Sequence, residues 1–457
     1  MPANYVLLER VEVGATAVSS ITFNSIPQTG YTDLKIVLST RNSVAAIQVV
    51  NVIRLNALTS GYTDKYIYGS GSAAGSGSAI AAPGGGGVGD APGANATAST
   101  FGNQEIYIPN YTSSNAKSSS VDSVAETNGT AAYMELIANL NTTTSAITSL
   151  MLYPTSGTYV QYSTFSLYGL AALGTTPTRA PKATGGSIIQ TDGTYWYHAF
   201  LASGTFTPAV GLTCDVLVVA GGGGGGGDYG AGGGAGGVIA FASQAIAASA
   251  QTVTVGSGGV GGYGVNSNPS SKGISGVNSQ VGSLTAAVGG GGGGAYNGLT
   301  GLAGGSGGGN PLGDTTATNT GTSGQGYDGA RSSNTSSPYG GQGGGGAGGT
   351  PAATVGGRGP GGTGVNTYTN WGTFSQAFTI LKVGASGYIA GGGGGGSQNG
   401  GGGSGGTGGG GGGTGNGDGN AGTINTGSGG GGAGGTGTPL HTGGKGGSGI
   451  VIIRYAV

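Results

Sequence analysis

The chain has 457 residues, of which 115 are Gly, 15 are Pro and one is Cys. Its 14 Lys and Arg stand against 15 Asp and Glu, a charged fraction of only 6%, so no basic field exists that could neutralise a run of phosphates, and nucleic acid is not an expected partner. The single thiol, Cys214, permits neither an internal disulfide nor a multi-cysteine zinc site, and no metal or cofactor is expected.

At the start of the chain, MPANYVLLERVEVG places Glu9, Arg10 and Glu12 where a secretion signal needs unbroken apolar residues. No window approaches the roughly 18 apolar residues that a membrane-spanning helix requires, so the chain is expected to be soluble when synthesised.

Residues 1–172 read as an all-β domain of short runs rich in Val, Ile, Tyr and Thr, among them Tyr5–Val13, Asp33–Thr40 and Glu105–Ile108. In Ser163–Tyr168 the large residues Phe165 and Leu167 alternate with Thr164 and Ser166, the period of a strand with one buried face, and Ile147–Leu152 is similar. Pro27–Gly30 and Pro154–Gly157 supply turns. The single stretch with a helix-like period is Ala131–Leu140. A β-sandwich or jelly roll is the expected closure. Within it, Gly69–Thr100 carries almost no large apolar side chain and is expected to be a surface insertion or flexible arm, and Leu173–Ser187 is expected to be a linker.

Residues 188–457 open with strand-like text, Ser187–Gln190, Tyr195–Leu201 and Asp215–Ala220, and then enter the run Gly221–Gly227. Uninterrupted runs recur at Gly289–Gly294, Gly343–Gly346, Gly391–Gly396, Gly400–Gly403, Gly408–Gly413 and Gly429–Gly432. The chain finishes with Gly449–Tyr455, a strand whose apolar residues need cover and are expected to close onto Val216–Val219.

Fixing each backbone unit costs about 1–2 kcal/mol, and glycine has no side chain whose burial would offset that cost. Order must therefore come from backbone hydrogen bonds, about 0.5–1.5 kcal/mol each, and from Cα–H···O contacts, for which glycine offers two hydrogens. A bundle of threefold, polyproline-II-like polyglycine helices uses both. Collagen is excluded because no strict Gly at every third position exists, and a plain flexible linker would need no apolar strands at both ends.

Few chemical constellations survive inspection. Val216–Gly221 resembles the opening of a dinucleotide-binding fold, but no helix-forming residues follow the glycines. A phosphate loop fails at Gly446, which stands where Ser or Thr should follow Lys445. His198, in Tyr195–Phe200, reads as a packing or hydrogen-bonding residue, and His441 as part of a turn. The carboxylates Asp228, Asp314, Asp328 and Asp418 are scattered among glycines without shaped apolar walls, so no enzyme is expected. What interrupts the glycine runs is more informative: Tyr229, Tyr296, Tyr327, Tyr339, Tyr368, Asn370, Trp371, Phe374 and Asn399. Tyr, Trp, Asn and Gly together have the composition of a binding loop, rigid aromatic area beside adaptable polar groups, although aromatics that merely cap the rods are an equal reading. For the 365–388 loop the balance tilts toward binding, because its apolar content exceeds what a connection needs.

Taken together, Asp215–Ala220 leading into polyglycine, Gln251–Val255 followed by Gly256, the six-glycine blocks and the ending Gly446–Tyr455 make residues 188–457 resemble the glycine-rich domain of bacteriophage tail-fibre and adhesin proteins. Tyr5–Glu9 and Ile26–Tyr31 make residues 1–172 similar to an N-terminal module of phage virion proteins. The resemblance implies polyglycine-II rods with variable loops at one end that contact a host receptor, a cell-surface glycan or outer-membrane protein. It also implies assembly as a homotrimer on other virion proteins of the tail or capsid, and a place on the virion surface. No coiled-coil shaft or repeated shaft module is present, so a tip adhesin or, alternatively, a capsid decoration protein or head fibre is expected rather than a complete long fibre.

Overall fold

The computed structural model describes residues 5–24, 26–78, 84–127, 133–172, 180–264, 271–296, 299–311, 319–331, 339–352, 358–368, 387–398, 400–435 and 441–457. Among them no α-helix occurs, and the fold is all-β. The chain divides into two compact units: unit 1 holds residues 1–182, 187–197 and 456–457, and unit 2 holds residues 183–186 and 198–455.

Unit 1 is built from β1 (Tyr5–Glu12), β2 (Ile21–Phe23), β3 (Tyr31–Thr40), β4 (Gln48–Leu55), β5 (Tyr62–Gly69), β6 (Ala74–Gly77), β7 (Gly86–Pro92), β8 (Gly102–Ile108), β9 (Lys117–Ala125), β10 (Tyr133–Asn141), β11 (Leu150–Pro154) and β12 (Thr164–Ala171). In unit 2, β13 (Ala183–Thr184) precedes β14 (Ile188–Thr191), which returns to unit 1, and the chain passes to unit 2 within β15 (Tyr195–Phe200). Unit 2 continues with β16 (Gly204–Pro208), β17 (Leu212–Val219), β18 (Val238–Ile246), β19 (Gln251–Thr254), β20 (Gln280–Val281) and β21 (Ile450–Ala456).

Two antiparallel sheets face each other in unit 1, one in the order β14-β1-β12-β3-β8-β9-β10-β5-β6 and the other β2-β11-β4-β7. Alternation sets which side is buried: Leu34, Ile36 and Leu38 of β3 point inward beside Ile106, Ile108, Phe165 and Leu167, and Phe23, Val52, Leu150 and Leu152 are the buried residues of the other sheet. Tyr159 stands edge-on to Phe165 with ring centroids 4.7 Å apart. In β1 the register shifts between Leu7 and Glu9, so the consecutive residues Leu8 and Glu9 are both buried. Gln190 of β14 donates to Glu9 Oε2 at 3.4 Å.

Two sequence expectations are corrected here. The helix-like stretch at 131–140 is strand β10 over its described residues, paired with β9 on one side and β5 on the other. The stretch 69–100, expected to be a surface arm, supplies β6 and β7, and β7 is buried: Val88 and Ala91 are fully covered and Asp90 nearly so. Glycine makes this possible, because missing side chains let the β7 backbone lie directly on groups of the facing sheet. Gly87 N–H donates to Asp64 Oδ2 at 3.0 Å, Asn139 Nδ2 donates to the Gly87 carbonyl at 2.9 Å, and a Cβ on Gly89, whose φ is +86°, would stand 2.0 Å from Ser123 Oγ. Residues 79–83 lie outside the described set.

In unit 2, β17 is flanked by β18 and β21, and the expected closure is present: Val216, Leu217, Val218 and Val219 pair with Ile453, Ile452, Val451 and Ile450. A second sheet runs β13-β16-β19-β20. His198 is fully buried, with Nδ1 2.7 Å from the Gly185 carbonyl, Nε2 3.0 Å from the Tyr455 hydroxyl and its ring edge-on to Phe206, which is the packing and hydrogen-bonding role read from the sequence. Burial lowers its pKa to about 4.

Beyond β17 order is carried by the backbone, in a repeat of three. Gly221, Gly224 and Gly227 donate to Val277, Ile274 and Ser271; Gly222 and Gly225 donate to Gly447 and Gly444; Gly223 and Gly226 donate to Gly234 and Ala231. Successive residues of one run thus turn to three different neighbours and come back every third position, the geometry of a threefold helix that rises about 3.1 Å per residue. The run at 230–237 repeats the rule: Gly230, Gly233 and Gly236 donate to Ala433, Gly430 and Gly427, and Ala231, Gly234 and Gly237 to Gly294, Gly291 and Val288. The expected polyglycine bundle is therefore a three-dimensional lattice of hydrogen bonds, with the runs at 221–237, 289–294 and 391–396 buried and those at 400–403 and 408–413 partly exposed.

Candidate functional site

Where a polyglycine run must reverse, side chains return, and the described candidate residues lie at two opposite ends of the run at 230–237. At its beginning, Asp228 and Tyr229 adopt left-handed backbone conformations, φ +39° and +44°, to turn the chain out of the 221–227 run. The Tyr229 ring is buried, stands edge-on to Tyr296 at 5.4 Å and lies 6.4 Å from Tyr339. Tyr296 N–H reaches back to the Asp228 carbonyl, and Gln398 N–H donates to the Tyr339 carbonyl at 2.8 Å. This three-tyrosine cluster covers the rod ends. Tyr229 is committed to packing, and Tyr296 presents one exposed flank.

The other end is concave. A cavity of about 540 Å³ opens between Val238, which follows the last glycine of the run, and the segments bearing Gln325, Tyr327, Asp328, Thr350, Val365 and Tyr368. Tyr327 is 48% exposed at its rim, whereas Tyr368 is partly buried and its hydroxyl pKa is raised by that burial. The floor is held rigidly. Gln325 Oε1 accepts from Val288 N–H at 2.8 Å and its Nε2 donates to the Ala286 carbonyl at 3.3 Å, while Asp328 Oδ1 accepts from Gly321 N–H at 2.9 Å. Val365 and Ile389 exchange two backbone hydrogen bonds of 2.9 Å, anchoring the chain on either side of the 365–388 loop.

The structure thus brings Tyr229, Tyr296 and Tyr339 together at one end and Tyr327 with Tyr368 at the other. Asn370, Trp371, Phe374 and Asn399 lie outside the described residues. Sequence reasoning did not select Val238, Gln325 or Thr350 for this site. They are far apart in the chain and meet only because neighbouring glycine runs stack, which no local pattern announces. Among the described residues no three His, Cys, Asp or Glu side chains group as metal ligands. His441 Nδ1 lies 3.8 Å from Asp418 Oδ1.

Compared with known families, the chain matches the model of a glycine-rich domain over residues 201–456. No curated protein and no solved structure matches it.

Proposed function

We propose that this chain, which belongs to the glycine-rich domain family, is a virion attachment protein of the tail-fibre or adhesin type: unit 1 mounts it on the particle, and loops of the glycine-rich domain bind a molecule of the host cell surface. The carrying observation is the cavity with Tyr327 at its rim and Tyr368 in its wall, presented by a lattice of backbone hydrogen bonds. Such a platform loses little entropy on binding, since hydrogen bonds from Gln325 and Asp328 already hold its floor. The sequence resemblance to phage virion modules supplies the setting. No bond is made or broken, and modest affinity per site is multiplied by several copies per particle.

Binding of the labelled full chain to whole host cells, measured by flow cytometry, tests this reading. Replacing Tyr327 and Tyr368 together by Ala should reduce binding at least tenfold while thermal unfolding is unchanged. Undiminished binding by that double variant would remove the cavity from the reading, and absence of wild-type binding would remove attachment altogether.

A further inference from the structure

Strand β10 of unit 1 turns an apolar row outward, Met134, Leu136, Ala138 and Leu140, flanked by Ile67 of β5 and Val124 of β9, while its inward row mixes Ile137 with the polar Glu135 and Asn139, which lie beside Ser123 and Asp64 on the side of β7. Met134 is 64% exposed, Ile67 56%, Leu136 55% and Leu140 41%, and they lie on one face because the register pairs Met134 with Val124, and Leu136 with both Asp122 and Ile67. An ordinary surface exposes such residues singly; a contiguous row of them marks an interaction site. A groove of about 690 Å³ runs along this face beside Ile67, Leu136 and Ser76.

Charge placement identifies the occupant. The central column, Met134, Leu136, Ala138 and Leu140 of β10, is uncharged. Lys65 stands to one side of it, opposite Ala138 on β5, and Asp122 to the other, opposite Leu136 on β9, both exposed. We propose that this face is covered by the same face of a second copy of the chain, related by a twofold axis running along β10. That axis lays each apolar column on its counterpart and carries Lys65 of each copy over the strand bearing Asp122 of the other, one register row away. Two copies of one patch are then complementary in shape and charge, as an isologous contact requires. The inference is independent of what unit 2 binds.

Sedimentation of the full-length chain tests it. Wild type should sediment at twice the 42.9 kDa chain mass. Leu136→Glu, and the gentler Leu136→Ser, should dissociate it with unchanged circular dichroism and melting. Lys65→Asp or Asp122→Lys alone should weaken association about tenfold, and the double exchange should restore it, because the pair is reconstituted across the axis. A monomeric wild type, Leu136 variants that keep the dimer, or a charge exchange that does not rescue would overturn the proposal. A trimeric mass would overturn the twofold arrangement, and a monomer that floats with phosphatidylcholine vesicles would assign the face to lipid.

Discussion

Gly224 faces the carbonyl oxygen of Val260 so closely that a Cβ on Gly224 would stand 2.1 Å from it, while the Gly224 N–H donates to Ile274 at 2.9 Å. One residue thereby serves two neighbouring chains, one through its N–H and one through the hydrogen that other residues replace with a side chain. The obstacle is backbone, which cannot rotate away. Gly224→Val, and likewise Gly393→Val, whose Cβ would lie 2.0 Å from the Gly430 carbonyl, should cost more than the 1–3 kcal/mol usual for overpacking. Calorimetry should show the unfolding transition of unit 2 lowered by well over 10 °C or lost, with unit 1 unaffected.

Asp90 and Glu135 give unit 1 a pH dependence opposite to ordinary acid denaturation. Burial, and secondarily the charge of Glu135, pushes the Asp90 carboxyl up to about 7, and Asp90 Oδ1, Glu135 Oε2 and Ser123 Oγ find no hydrogen-bond partner within the described protein. A folded-state pKa above the unfolded value means that the folded state binds the extra proton. Stability is therefore fully present below about pH 4 and is lost as pH rises toward 7, above which the loss levels off at roughly 4 kcal/mol. Amide exchange of β7 should slow as pH is lowered from 7.5 to 5 after correction for intrinsic rates, and Asp90→Asn should weaken the trend, leaving only the part carried by buried Glu135.

His198 acts in the other direction within unit 2. Its folded pKa of about 4 lies below the ordinary 6.5, so its contribution is present above pH 6.5 and is lost as pH falls toward 4. Protection of β21, whose Tyr455 hydroxyl meets His198, should fall over that window, and His198→Gln should flatten the response.

Tyr229→Ala should separate packing from binding. The ring is 4% exposed and contacts two other tyrosines, so its removal should cost about 3 kcal/mol of unit 2 stability and leave cell binding per folded molecule unchanged. Melting and flow cytometry on the same preparation read both quantities.

Much of the fold was legible because ordinary side-chain periodicity builds it. Phe165 and Leu167, the core residues of β3, and the closure of Ile450–Ile453 onto Val216–Val219 all follow from apolar alternation seeking cover. The polyglycine lattice was legible from energetics, since backbone groups alone remain to pay for order. Strand β7 was not, because a strand whose one large apolar residue, Val88, stands among Gly, Asp, Ala and Pro has no hydrophobic alternation, and the apolar outward face of β10 gave those residues a misleading period. At the site, Tyr327 and Tyr368 could be picked as interruptions of glycine runs. That they share a cavity while Tyr229 is sequestered at the opposite end depends on how the runs stack.

The central claim is attachment by the glycine-rich domain, and immunogold electron microscopy of intact virions with an antibody against residues 198–455 tests it most directly. Label confined to the tail or its fibres is the predicted result. Label spread over the head, or none on the particle, would contradict it.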